Sequence, residues 1–260
     1  MNMELIHRNY LETTTSVYVS TGTSTAGYLF DRESTNYYLS SGDNADTTTT
    51  TITVNFAPFK VIDRIGLQNI NFKSFKVYHS SNTANTLTIA NADTTTSVWT
   101  GNSATSRYLI LSTPVTMTSL TIAATSTTIA NQEKKLGEFW CLEKILTFDK
   151  NPDAKGYDAQ FNAKQYKHEM SDGGTTVYTV SDKFEARIKR KYVDETEHDT
   201  LSTIHKIWGP IVFVPFPTGT AWDGRIYQVV WVGEFGFEQY TDNYKGNGYS
   251  GDLRLMESAK

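Results

Sequence analysis

Apolar and polar residues alternate at a spacing of two along much of this 260-residue chain. Thr51–Phe56 (TITVNF) puts Ile52, Val54 and Phe56 on one side, and Phe75–His79 (FKVYH) repeats the pattern. Lys183–Val193 (KFEARIKRKYV) sets Phe184, Ala186, Ile188, Arg190 and Tyr192 on one parity, and Tyr227–Phe237 (YQVVWVGEFGF) reads as one long strand. That period belongs to half-buried β-strands. Helical spacing appears in one stretch, Glu195–Trp208, where Leu201, Ile204, His205 and Trp208 share a stripe. Asp194 or Thr196 can cap its start, and Gly209-Pro210 stops it. A mainly β chain with one α-helix is expected.

The alternation is carried by different residues in the two halves. Residues 1–130 hold 7 basic and 8 acidic residues against 17 and 20 in 131–260, whereas threonine falls from 28 to 10. Threonine is β-branched, and its hydroxyl suits a solvated strand face. The first half therefore reads as a β-sandwich of short strands: Thr51–Phe56, Val61–Asn69, Phe75–His79, Leu87–Ala90, Ser97–Thr100, Tyr108–Leu111, Leu120–Ala123 and a closing Gly137–Ile145. Domains are expected at 1–147 and 148–260. In the second, Ala159–Met170 and Thr175–Val180 form a hairpin around Ser171–Gly174, followed by Lys183–Val193, the helix, Ile211–Phe216, Tyr227–Phe237 and Asp252–Glu257.

FDRESTNYYLS (Phe30–Ser40), ITVNF, IDRIGLQNINF (Ile62–Phe72), SFKVYHS, RYLILS and GEFWCLEKI follow one another in an order that resembles discoidin-like, galactose-binding-like sandwiches. The resemblance covers roughly residues 15–145 and implies a jelly-roll domain whose end loops bind glycans or lipid headgroups. Such sandwiches hold a structural Ca²⁺ near an Asp-Gly-Asp-x-x-Thr-x-Trp stretch. Here Asp31 matches the first Asp, while Arg32, Glu33, Asn36 and Tyr38 replace the Gly, Asp, Thr and Trp. Because a bulky cation stands where the ion-binding loop needs glycine, no metal is expected. The helix, VPFP, VWVGEFGFEQY and GYSGDLRLMES resemble the C-terminal part of distal tail or tail-tip proteins of long-tailed bacteriophages. That likeness implies a tube-like, ring-forming domain of six copies docking fibre or baseplate proteins, although the usual distal tail protein carries its tube-like domain first.

Catalytic signatures are lacking. The five histidines form neither a His-Glu-x-x-His motif nor a Cys/His cluster, and His198 and His205 lie two helical turns apart. Asp194, Glu195, Glu197 and Asp199 crowd a helix start, where acids complement the dipole. No nucleophile elbow or phosphate-cradling glycine loop is present. No catalytic, cofactor or metal residue is assigned.

Contact candidates are better defined. Tyr240, Tyr244 and Tyr249 sit in a Gly/Asn/Asp-rich stretch outside any apolar period, as glycan- or partner-binding tyrosines do. Tyr37, Tyr38, Trp99 and Tyr108 are the sandwich's candidates for a sugar platform, with core packing the competing reading for Trp99 and Tyr108. Lys189, Arg190 and Lys191 suit a phosphate, an acidic partner or a neighbouring subunit, against a solvated strand face.

A net charge of −4 and a pI near 5.8 argue against nucleic-acid binding. The lone cysteine, Cys141, cannot form an internal disulfide. No apolar run reaches the ~20 residues of a membrane span, and MNMELIHRNYLETTT lacks a signal peptide's apolar core. The expectation is a non-enzymatic virion protein made in the host cytoplasm. It would form a ring of three or six copies and contact the tail tube and tail-tip or baseplate proteins. The alternative is a carbohydrate-binding protein using the sandwich. A glycan-processing enzyme acting through a carboxylate such as Asp194 is a further alternative.

Overall fold

The computed structural model describes residues 2–258 except 8, 13–14, 33–35, 43–44, 81, 91–93, 153–155, 170–174, 208, 218–224 and 243–245. In chain order it forms β1 (Glu4–Ile6), β2 (Thr15–Val19), β3 (Tyr38–Leu39), β4 (Thr50–Gln68), β5 (Phe72–His79), β6 (Val98–Trp99), β7 (Arg107–Thr127) and β8 (Lys135–Leu136). There follow β9 (Glu138–Leu142), β10 (Lys144–Thr147), β11 (Tyr157–Glu169), β12 (Thr175–Val193), helix α1 (Glu195–His205), β13 (Ile211–Val214), β14 (Tyr227–Trp231), β15 (Gly236–Asp242) and β16 (Gly246–Glu257). The protein is mainly β, with one α-helix among the described residues. Two compact units emerge: residues 6–144 with 214–226, and residues 2–5 with 145–213 and 227–260.

The first unit is built on one ladder. Strands β2-β4-β7-β5-β6 lie in that order, β9 pairs with the far half of β4, and β3 with β8 makes a separate small sheet. Thr50–Asn55 pairs with Ser119–Ala124, and Arg64–Leu67 with Arg107–Ile110. Between these runs each long strand bulges once, β4 at residues 56–59 and β7 at 111–114. Bulges bend the strands that carry them, so the two halves of the ladder wrap one core. Ile52, Val54 and Phe56 meet Leu120 and Ile122 there, with Leu67, Leu109, Phe75, Phe139 and Cys141. Complete burial pushes the Cys141 thiol well above its ordinary pKa and leaves it unreactive.

The second unit is an eight-stranded sheet ordered β10-β1-β13-β14-β16-β12-β11, with β15 added beside β16. Its core combines Phe184, Ala186 and Ile188 of β12, Leu253 and Leu255 of β16, Phe213 and Val229 with Leu201 and Ile204 of α1. The alternate β12 residues face outward, where Arg187 pairs with Asp252 at 2.5 Å and Glu185 with Arg254 at 2.6 Å. Asp194 caps α1 by accepting the Glu197 N–H at 2.7 Å, an interaction worth about 1 kcal/mol.

Several elements differ from the sequence expectation. Thr51–Phe56 and Val61–Asn69 are one strand, as are Tyr108–Leu111 and Leu120–Ala123, because bulges rather than loops separate them. Leu87–Ala90 makes only isolated bridges. Tyr227–Phe237 is two strands, parted near Gly233 at φ +93°. Strand β1 has no counterpart in the sequence reading, since its partners lie far along the chain. The hairpin turn 171–174 and Trp208 lie outside the described residues. No helix among the described residues is long and apolar enough to cross a membrane.

Candidate functional site

On the first unit, strand pairing lines up one row of hydroxyl residues, exposed at Tyr18 and buried at Thr121 and Tyr78. Tyr18 stands opposite Thr53, Thr53 opposite Thr121, and Thr121 opposite Tyr78. The Thr53 and Thr121 hydroxyls bond at 3.0 Å, those of Thr49 and Thr125 at 3.3 Å. Beside this row lies a groove of about 410 Å³ lined by Thr49, Thr51, Ser74, Lys76, Tyr78 and Thr125. The Lys76 ammonium stands 5.5 Å from the Tyr78 ring centre.

The sugar-platform candidates are placed otherwise. Tyr38 is fully buried, its hydroxyl donating to the Thr21 carbonyl at 2.8 Å, and is a core residue instead of a platform. Trp99 is 4% exposed and stacks on Phe75 at 4.5 Å, with the Arg107 guanidinium 5.7 Å from its ring. Trp99 therefore borders the groove while its area belongs to the core. Tyr108 is also fully buried, whereas Tyr37 is exposed beneath the Lys135 ammonium at 4.0 Å.

On the second unit the basic run separates by parity. Lys189 and Lys191 are exposed, while Arg190 turns inward and its Nη2 meets Glu197 Oε1 at 2.5 Å. Its Nη1 donates to the Lys150 carbonyl, and its guanidinium lies 4.7 Å from the Phe148 ring centre. Arg190 thus cannot offer its charge to a neighbouring subunit, a correction to the sequence reading. Burial pushes the Glu197 carboxyl up from its ordinary range, and the Arg190 charge pulls it partly back. A register shift between Arg190 and Val193 carries Tyr192 at φ +59° and reverses the parity, leaving Tyr192 49% exposed and Val193 buried.

That reversal brings Tyr192 edge-on to Tyr240 at 5.8 Å. A Cβ on Gly248 would meet the Tyr240 hydroxyl at 2.6 Å, so a larger residue there must displace that ring. Tyr249 stacks face to face on His198 at 3.8 Å, and His205 joins Trp231 and Phe235 at 5.3 and 5.7 Å. Tyr249 and both helix histidines thereby join helix to sheet. Tyr244 lies outside the described residues. Sequence reasoning missed Tyr192 and Lys150; the break in period two at Val193 was the available signal for the first.

No group of three metal-ligating residues occurs among the described residues. Asp31 takes the Asn36 amide at 2.7 Å, and Arg32 faces Glu12 at 3.6 Å. Asp194, the carboxylate of the enzyme alternative, is committed to its helix cap.

No known protein family matches the chain, and no curated protein does. Among solved structures it is similar to chitosan-binding module 1 of a chitosanase/glucanase from Paenibacillus sp. IK-5, with 16% identity, 53% of this chain and 99% of that one covered, and a TM-score of 0.39. It is also similar to the family 32 carbohydrate-binding module of Clostridium perfringens NanJ in complex with galactose, at 10% identity, 54% and 99% coverage and a TM-score of 0.40. A Ruminococcus gnavus GH29 fucosidase matches at 15% identity over 53% of this chain and 27% of that one, with a TM-score of 0.39. The sandwich assignment rests on the strand pairing described above.

Proposed function

We propose that the chain is a non-enzymatic assembly protein. The phage resemblance of residues 195–257 makes a ring-forming tail-tip component the favoured setting. The observation that carries this reading is the outer end of the β11–β12 hairpin. Strand β12 pairs with β16 only from Glu185 onward, yet its ladder with β11 continues from Asn162↔Lys183 out to Glu169↔Thr175. Some 25–30 Å of two-stranded ribbon extends past the third strand. Two-stranded ribbons are marginal in water, and an open edge is a template for another chain. Copies joined head to tail through such an arm close into a ring when the rotation between neighbours closes.

Replacing residues 162–183 with Asn-Gly keeps the Phe161↔Phe184 rung and removes the arm. Wild-type protein should give closed rings by light scattering and negative-stain imaging, and the shortened protein a monomer of unchanged melting temperature. A wild-type chain that stays monomeric at every concentration overturns the reading.

The hydroxyl-lined groove at Lys76 and Tyr78 favours a second reading, carbohydrate binding by the sandwich. Galactose and chitotriose, present in structures similar to this one, are the first sugars to titrate. Saturable tryptophan quenching, lost in Lys76→Ala, supports it, and no quenching with either sugar removes it.

A further inference from the structure

The assembly reading leaves Lys189 and Lys191 unused. They share a strand face two residues apart, and the bulge at Tyr192 ends that face. Together with Lys150, Asn151, Arg190 and Tyr192 they line a pocket of about 280 Å³. No carboxylate is among its described lining residues. Arg190 contributes a side chain 3% exposed whose Nε–H has no acceptor among the described residues. Three lysines thus line a concavity, with the buried Arg190 guanidinium behind it.

We propose that this pocket binds a phosphate group, free or carried on a polyol. The class follows from the donors. Paired recognition of a carboxylate uses a free guanidinium fork, and both Nη atoms of Arg190 are committed to Glu197 and Lys150. Lysines act as movable point charges, which suits a tetrahedral oxyanion carrying more than one charge. The exposed Tyr192 ring supplies an apolar wall for the carbon skeleton of an ester. This site is independent of the arm, so either proposal can fail alone.

The test is ³¹P line broadening of inorganic phosphate and, separately, glycerol 3-phosphate by the full-length chain at fixed ionic strength. Saturable broadening is expected, with affinity reduced about tenfold or more in Lys189→Ala/Lys191→Ala and unchanged in Lys73→Ala on the other unit. Tighter binding of glycerol 3-phosphate identifies an ester as the natural ligand, and equal binding identifies the free ion. Circular dichroism of the double variant checks its fold, and light scattering checks its assembly. Equal affinity in wild type and double variant overturns the proposal, as does binding of poly-glutamate without binding of phosphate.

Discussion

Arg190 Nη2 lies 2.5 Å from Glu197 Oε1, with both side chains at least 96% buried, and this pair ties β12 to the first turn of α1. Breaking such a pair leaves a buried charge uncompensated, whereas replacing both partners with apolar groups removes the problem. Glu197→Ala is expected to destabilise the protein by about 3–5 kcal/mol, and Arg190→Met/Glu197→Leu to recover most of that. Urea denaturation of the three proteins measures the difference.

The same pair has a pH signature. The Glu197 carboxyl titrates above its ordinary 4.5, chiefly through burial, with Arg190 opposing. Between 4.5 and that raised value the folded chain holds more protons than the unfolded one, so stability falls as pH rises. Arg190→Met removes the opposing charge and widens the window. Its stability deficit against wild type should therefore grow from pH 5 toward neutrality, as followed by melting temperature. A constant deficit contradicts the assigned pairing.

Asp46 behaves in the opposite sense. Burial raises its pKa, but the Thr127 and Asn131 N–H groups, the Thr127 hydroxyl and the Lys134 charge outweigh that and hold it below its ordinary 3.8. The unfolded chain then binds more protons around that value, so the contribution is present above 3.8 and lost as pH falls through the folded value. Asp46→Asn keeps the shape and removes the charge. It should melt slightly lower at pH 7, with the gap closing on acidification below 3.8.

Where local pattern decides structure, the sequence was informative. Ile52, Val54 and Phe56 point inward as their spacing requires, and Asp194 caps the helix it precedes. What stayed hidden depends on partners distant in the chain. Strand β1 joins β13 from two hundred residues away, and the β4 and β7 bulges appear only when both strands are aligned. Arg190 already shared the parity of Phe184, Ala186 and Ile188, but its partner Glu197 on the helix appears only in the fold. Tyr38 and Trp99 stand beside turn-like residues, the usual mark of a rim, yet both fill the sandwich core.

At Gly251 strands β15 and β16 pack closely. A Cβ there would lie 2.4 Å from the Gly236 carbonyl oxygen and 2.9 Å from the Phe237 ring. Gly251→Ala must push β15 away from β16, at a cost of about 1–3 kcal/mol. Faster amide hydrogen exchange across 236–242, with β12 unchanged, is the expected result. Unaltered exchange there contradicts the packing.

Trp99 separates packing from recognition on the sandwich. Its indole stacks on Phe75 with the planes 14° apart, and 96% of its surface is buried. Removing a buried aromatic costs about 3–5 kcal/mol, so Trp99→Ala should lower stability whether or not the neighbouring groove binds sugar. Lost sugar binding in that variant would report damage to the fold. Lys76→Ala, which touches the groove and not the core, is the cleaner probe of recognition. The expected pair of results is a large loss of stability in Trp99→Ala and an unchanged melting temperature in Lys76→Ala. A Trp99→Ala protein as stable as wild type would instead put the indole outside the core and return Trp99 to the candidate platform.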